Sequence, residues 1–237
     1  MSIAGELLLK LLSLDTSTPR GSVALLDGEE LTAELRLRPL GDHSSRLLEN
    51  IRYLLGCVGW KPGDLGLIVA CIGPGSFTGI RIGVATALGL AQTLGIPFAG
   101  VSGLDALARQ LPGYDGSIGA VMDAQRGQVY YAEYRSEKGR IRRQARPTLL
   151  YPGELAVRAR KGRVTLIGDG AQRYAHEWNL DAGRRWPRFV EVDLFLAAGM
   201  GRIALKRKQA WRSGEFLHAE PLYIRPPDAL RKRANRP

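Results

Sequence analysis

The residues best suited to chemistry are two aspartates, each placed where an apolar run gives way to a turn. Leu7–Leu14 leads into Asp15-Thr16-Ser17-Thr18-Pro19, and Ile118–Met122 leads into Asp123-Ala124-Gln125-Arg126-Gly127. A carboxylate delivered to a loop by a buried strand, with hydroxyl groups beside it, can hold a metal-bound phosphate. Asp, Ser and Thr side chains also cap turns by bonding nearby backbone N–H groups. Both readings stand for Asp15 with Thr16 and Ser17, and for Asp123. The turn Gly168-Asp169-Gly170 carries the same choice: Gly168 and Gly170 flank either a nucleotide or nothing more than a bend.

The strongest local signal is Gly73-Pro-Gly-Ser-Phe-Thr-Gly-Ile-Arg-Ile-Gly83. It is a glycine turn between a buried strand and a helix start, where backbone N–H groups can receive an anion. No Gly-Lys-Ser/Thr follows, so it is not a Walker A loop, and its glycine spacing misses the dinucleotide fingerprint. Along the helix, Gly79, Gly83, Ala87 and Ala91 recur every four residues. Each interior glycine costs about 1 kcal/mol against alanine. Such a smooth face is useful where another backbone comes close, either in a partner protein or within the monomer.

Other chemistry finds little support. His43, His176 and His218 form no metal-binding pair by spacing. There is no Gly-x-Ser-x-Gly, and Cys57 and Cys71 both sit in apolar runs that favour burial. Two cysteines outside a CxxC pair fit a reduced cytosolic protein.

These residues need strands and helices to position them. Strands are expected at Leu7–Leu14, Ser22–Leu26 and Leu31–Leu37, a helix over 43–57, a strand at Gly66–Ile72 and a helix from about Phe77 to Leu94. Ile82–Gly100 is too polar and glycine-rich for a membrane span and reads as helix followed by strand; no signal peptide is recognisable. The pattern of strand, aspartate turn, strand, turn and strand returns at Ile118–Met122, Val129–Tyr134 and Arg140–Ala145. A helix from about Pro152, a strand Val164–Ile167 and a helix Asp193–Lys208 complete the second half. This internal repeat predicts two related α/β lobes facing a cleft. The expected division is 1–104, then 105–225 with its last segment packing back on the first lobe, then a flexible basic tail, 226–237.

Charge follows the same division. The net charge of +11 is carried by the second half: residues 1–100 hold 8 Lys/Arg against 9 Asp/Glu, residues 101–200 hold 16 against 11, and residues 201–237 hold 10 against 3. A polyanion near the second half is one explanation, and a solubilising basic face is the other. Arg140, Arg142 and Arg143, with Lys206, Arg207 and Lys208, are the candidate phosphate-contacting residues. Tyr130, Tyr131 and Tyr134 lie nearby, as base-stacking or ordinary strand residues.

The sequence resembles the TsaB (formerly YeaZ) family over almost its whole length. The resemblance rests on Leu14–Thr18, Ser22–Leu25, His43-Ser44, Gly73–Gly83, Gly100–Ser102, Met122–Tyr130, Gly168–Gly170 and His218–Arg225. It implies two actin/Hsp70-like (ASKHA, RNase H-like) lobes, each a mixed sheet with flanking helices. It also implies a part in placing threonylcarbamoyl on the adenosine beside the anticodon of tRNAs that read codons starting with A. In that system a catalytic paralogue, TsaD, carries the metal and the transfer chemistry, and a small ATPase, TsaE, joins the complex. No catalytic residue, metal or cofactor is then expected in this chain. It would act as a cytoplasmic scaffold, homodimeric alone and heterodimeric with its partner. Carried over, the partner surface comprises His43, Leu47, Gly79, Arg81, Gly83, Thr86, Ala87 and Leu90. Asp15, Thr16, Ser17, Asp123, Gly168 and Gly170 would be remnants of a nucleotide site. Gln128 departs from the family, which often has an acidic residue there, and this weakens a cation-binding role for that loop.

Two enzyme readings compete. One is a nucleotide-hydrolysing or sugar-kinase-like protein using Asp15 and Asp123 with magnesium. The other is the glycoprotease label of the wider family, for which a histidine pair, a triad and an activated cysteine are all wanting in the sequence.

Overall fold

The computed structural model describes residues 9–37, 46–178, 187–207, 222 and 224. His43, Lys208, His218 and the tail 226–237 lie outside the described residues. The chain divides into two compact units. One holds the described residues up to Ile72, Thr78–Ser102 and residues 195–207; the other holds Gly73–Phe77, those within Gly103–Leu194, and residues 222 and 224.

In the first unit, β1 (Lys10–Asp15), β2 (Gly21–Asp27) and β3 (Glu30–Leu37) form an antiparallel meander. After α1 (Leu47–Cys57), β4 (Leu67–Gly73) pairs with β1 in parallel. The helix α2 (Phe77–Leu94) leads to β5 (Phe98–Ser102), giving the order β3-β2-β1-β4-β5. One face, with Leu12, Leu14, Val23, Leu25, Ile68 and Ala70, is covered by Leu47, Ile51, Leu54 and Leu55 of α1 and by Ile80, Val84, Ala87 and Ala91 of α2. Leu11 and Leu26 face the opposite way, toward Gly201. A strand covered on both faces has no polar side to show, which is why Leu11–Leu14 is nearly all leucine. Each leucine so buried contributes about 1.5–3 kcal/mol.

The second unit repeats this plan. After a short α3 (Gly103–Leu107), β6 (Gly116–Asp123), β7 (Val129–Glu137) and β8 (Arg140–Arg143) form the meander, and β9 (Thr148–Leu150) also pairs with β7. Beyond α4 (Pro152–Gly162), β10 (Thr165–Ile167) runs parallel to β6. Then come α5 (Asp169–Tyr174) and a two-residue β11 (Arg188–Phe189), giving β11-β10-β6-β7-β8. Val121, Val129, Tyr131, Leu155, Leu166 and Trp178 build its core. The two orders correspond strand for strand, and each meander's first strand ends on its aspartate, Asp15 or Asp123.

The last described helix, α6 (Ala197–Lys206), belongs to the first unit. It packs on β1, β2 and β5, and its Ala197 N–H donates to Ser22 Oγ at 3.1 Å. Gly201 is the contact point: a Cβ there would stand 2.9 Å from Leu26 Cδ1 and 3.0 Å from Leu11 Cδ1. Among the described residues no helix is long and apolar enough to cross a membrane.

Candidate functional site

The smooth face of α2 points into its own unit. Gly83 is buried, and a Cβ there would meet Thr16 Oγ1 at 2.2 Å. That same hydroxyl donates to the carbonyl of Gly79 at 2.7 Å, stitching the loop after β1 onto the first turn of the helix. Ala87 and Leu47 are buried as well, at 0% and 2% exposure. Gly83, Ala87 and Leu47 therefore do not form the expected partner surface. Glycine at 83 is favoured by the close approach of the Thr16 side chain. Gly79, Thr86 and Leu90 are half-buried, and Arg81 is exposed. The open side of α2 is the line Thr78, Arg81, Ala85 and Gly89, where a Cβ on Gly89 would meet nothing.

On α1, Leu48 and Tyr53 are 59% and 64% exposed, off the buried side formed by Leu47, Ile51, Leu54 and Leu55. Glu49, Arg52, Tyr53, Gly56 and Cys57 line an open depression of about 740 Å³. Cys57 is exposed, contrary to the burial expected of it, while Cys71 is buried. Tyr53 has no signal in the sequence beyond falling off the apolar stripe.

The aspartates are engaged locally. Asp15 is fully buried, and its Oδ1 accepts from the Ser17 N–H at 2.9 Å and the Ser17 hydroxyl at 2.7 Å. In the second unit, Asp123 accepts from the Gln125 N–H and from Gln125 Nε2, both at 3.0 Å, and pairs with Arg173 at 2.8 Å. A guanidinium thus stands on the carboxylate that the nucleotide reading would give to a cation. Asp169 Oδ1 accepts from the N–H groups of Asp123 and Gly170, at 3.3 and 2.9 Å. Burial pushes the Asp169 carboxyl above the usual aspartate range, and the neighbouring Asp123 charge adds to this; the two backbone donors oppose it. Gly168 and Gly170 are packing glycines. A Cβ on Gly168 would lie 2.2 Å from Val121 O, and one on Gly170 would lie 2.8 Å from Met122 C, both backbone atoms of β6. Among the described residues no group of three or more His, Cys, Asp or Glu converges as a metal site.

The basic residues separate. Arg140, Arg142 and Arg143 are all exposed, but Arg143 is committed within the fold: its Nε and Nη2 donate to Asp105 Oδ1, which also receives the Tyr134 hydroxyl at 2.8 Å. Asp105 is 3% exposed while the Arg143 side chain is 34% exposed, so Arg143 is held at the surface by an ion pair to a buried carboxylate. The period of two in β8 explains the difference, because neighbouring side chains leave opposite faces of a strand. Tyr130, Tyr131 and Tyr134 are all buried, which removes the base-stacking reading. Lys206 is exposed in the first unit, 3.9 Å from Glu29 Oε2; Arg207 is also exposed there.

Two units, each repeating a three-stranded meander and a parallel extension with an aspartate ending the first strand, define an actin/Hsp70-like ASKHA protein. Component A of (R)-2-hydroxyglutaryl-CoA dehydratase from Acidaminococcus fermentans shares the fold alone, with TM-score 0.51 and 13% identity over 85% of this chain and 99% of that one. YeaZ from Pseudomonas aeruginosa is nearer, with TM-score 0.71 and 31% identity over 91% and 99% of the two chains. The family model described as TsaD, tRNA N6-adenosine threonylcarbamoyltransferase, matches residues 41–174. The tRNA threonylcarbamoyladenosine biosynthesis protein TsaB of Escherichia coli is 32% identical over 225 residues, 92% of this chain and 95% of that protein. TsaB of Bacillus subtilis is 40% identical over 129 residues, a match spanning 54% of this chain and 56% of that relative. The chain belongs to the TsaB (YeaZ) family.

Proposed function

We propose that this protein acts in tRNA threonylcarbamoyladenosine formation as a non-catalytic subunit that binds and supports a TsaD-type catalytic paralogue. A TsaE-type ATPase joins that assembly, so ATP and metal belong to the partner subunits, and the work is done in the cytoplasm. Near full-length similarity to a TsaB protein supports the pathway. The observation that carries the non-catalytic reading is the Asp123 carboxylate, held by Arg173 and Gln125 where magnesium chemistry would require it open.

The partner surface is the outer side of α1 and α2. Exposed Leu48 and Tyr53 supply apolar and aromatic anchors, Arg81 supplies charge, and Ala85 and Gly89 leave room for a close-packed helix. The same surface would pair two copies in the absence of the paralogue.

The test is co-purification with a TsaD-type protein and transfer activity on tRNA, comparing wild type with Leu48→Asp/Tyr53→Arg. Loss of complex and activity in a folded variant supports the assignment. Retention of both places the partner elsewhere. Magnesium-dependent ATP turnover by the isolated chain, abolished by Asp15→Asn, would overturn the non-catalytic reading.

A further inference from the structure

The β7–β8 hairpin edges a shallow basin of about 960 Å³, lined by Arg135, Lys138, Arg140 and Arg142 against Asp115 and Glu137. Both carboxylates are already engaged. Glu137 Oε1 accepts from Arg135 Nε at 2.9 Å, and Asp115 Oδ1 accepts from the Lys138 backbone N–H at 2.8 Å. Among the described residues, Arg140 and Arg142 have no ion-pair partner.

Two local costs converge on this surface. Arg135 and Arg142 stand directly opposite one another across the antiparallel pair. Like charges so placed repel one another and destabilise the pair. Lys138 has φ 46° and Gly139 φ 75°, the pattern of a two-residue hairpin turn whose first position favours asparagine or glycine. A lysine held there is strained relative to glycine or asparagine. An anion filling the basin relieves the repulsion between the two facing guanidinium groups.

We propose that this basin binds the phosphodiester backbone of RNA, and, given the function argued above, that of the tRNA substrate. Arg140 and Arg142 lie two residues apart on one face of an extended strand, hence about 7 Å apart along it. A row of guanidinium groups at that step can clamp successive anionic groups, each by a two-pronged pair of hydrogen bonds. Among the described residues the lining holds no aromatic or large aliphatic anchor, so a protein partner would lack the desolvated centre on which such contacts depend. With no ring available for stacking, contact is to the backbone and independent of sequence.

The experiment measures binding of the full chain to a labelled, unmodified tRNA transcript across a salt series. The variants are Arg140→Ala/Arg142→Ala and, separately, Lys138→Asn, each checked by thermal melting and by co-purification with the TsaD-type paralogue. The double variant should bind about ten-fold more weakly at ~0.1 M salt, with the slope of log K against log salt smaller by about 2. Lys138→Asn should weaken binding less while raising the melting temperature, because asparagine suits the left-handed turn position. Unchanged affinity and slope in both variants overturns the proposal, as does a double variant that keeps tRNA but loses its protein partner. Wild-type chain that binds tRNA through these residues yet never associates with the paralogue upholds the basin and defeats the proposed function instead.

Discussion

Replacing Gly83 by alanine, alone and together with Thr16→Ala, tests whether this glycine serves the monomer's own packing. Alanine gains about 1 kcal/mol in a helix interior. Its Cβ would stand 2.2 Å from Thr16 Oγ1, so that side chain must rotate away or the helix must shift. Overpacking of this kind costs about 1–3 kcal/mol. Gly83→Ala should therefore lower stability by about 0–2 kcal/mol, most plainly through loss of the 2.7 Å bond to Gly79 O. Thr16→Ala alone forfeits that bond, worth about 1 kcal/mol. In the double variant the nearest Thr16 atom left is Cβ, at 3.5 Å, an ordinary contact. The helix gain then offsets the lost bond, and the double variant should match wild type. The coupling is about 2 kcal/mol in favour of the pair, readable in urea melts or as about 4–8 °C between the observed and additive melting temperatures. Losses that simply add within about 0.5 kcal/mol would refute the intramolecular account of this glycine.

Other outcomes follow from the second unit. Burial pushes the Tyr134 hydroxyl above the tyrosine range, with the Asp105 charge adding to it, and burial with Glu133 does the same to Tyr131. Their folded values exceed the unfolded value of about 10, so their stabilising contribution is complete below that pH and is lost as pH rises past it. Denaturant melts should show stability falling by up to about 1.4 kcal/mol per pH unit for each tyrosine. Tyr134→Phe should flatten that slope and cost about 1.5–3 kcal/mol at neutral pH through the lost bond to a charged group. Asp169→Asn keeps the acceptor for its two backbone donors while removing a carboxylate whose folded value is raised. Its melting temperature should exceed wild type at pH 7, and the gain should vanish below about pH 4, where the wild-type carboxyl is protonated too. Gly168→Ala drives a Cβ against Val121 O at a φ of 112°, and urea melts should show a loss of about 3 kcal/mol or more.

The strands were legible wherever burial left a periodic trace. Leu11–Leu14 is covered on both faces and reads as an unbroken apolar run; the repeat of run, aspartate and hairpin shows both meanders before any coordinate. What stayed hidden were pairings between distant residues. A stripe of small side chains states that something comes close, but its neighbour here is Thr16, 63 residues before the carbonyl it bonds. Alternation in Arg140–Arg143 separates two faces, yet it is Asp105, 38 residues from Arg143, that decides which face is tied into the fold. Strands of two or three residues such as β11 and β9 carry too little pattern to register. The outward Leu48 and Tyr53 carry no sequence signal, because the apolar periodicity of a helix marks what is buried and not what is exposed.

Asp15, Asp123, Gly168 and Gly170, the residues a nucleotide reading would use, are engaged within the fold. Asp15 closes its own turn through Ser17, Asp123 is neutralised by Arg173, and Gly168 and Gly170 let α5 lie against the backbone of β6. A magnesium-bound phosphate at Asp123 would have to displace a guanidinium held at 2.8 Å and break two bonds to Gln125. An enzyme keeps its carboxylates poised toward the place where charge develops. Here Asp15 is buried against Ser17, and Asp123 is committed to Arg173 and Gln125. Removing Arg173 therefore sharpens the distinction between scaffold and enzyme. Arg173→Ala should leave Asp123 without its counter-charge and lower stability without creating ATP turnover. Turnover appearing in that variant would mean that one substitution separates this scaffold from an active site.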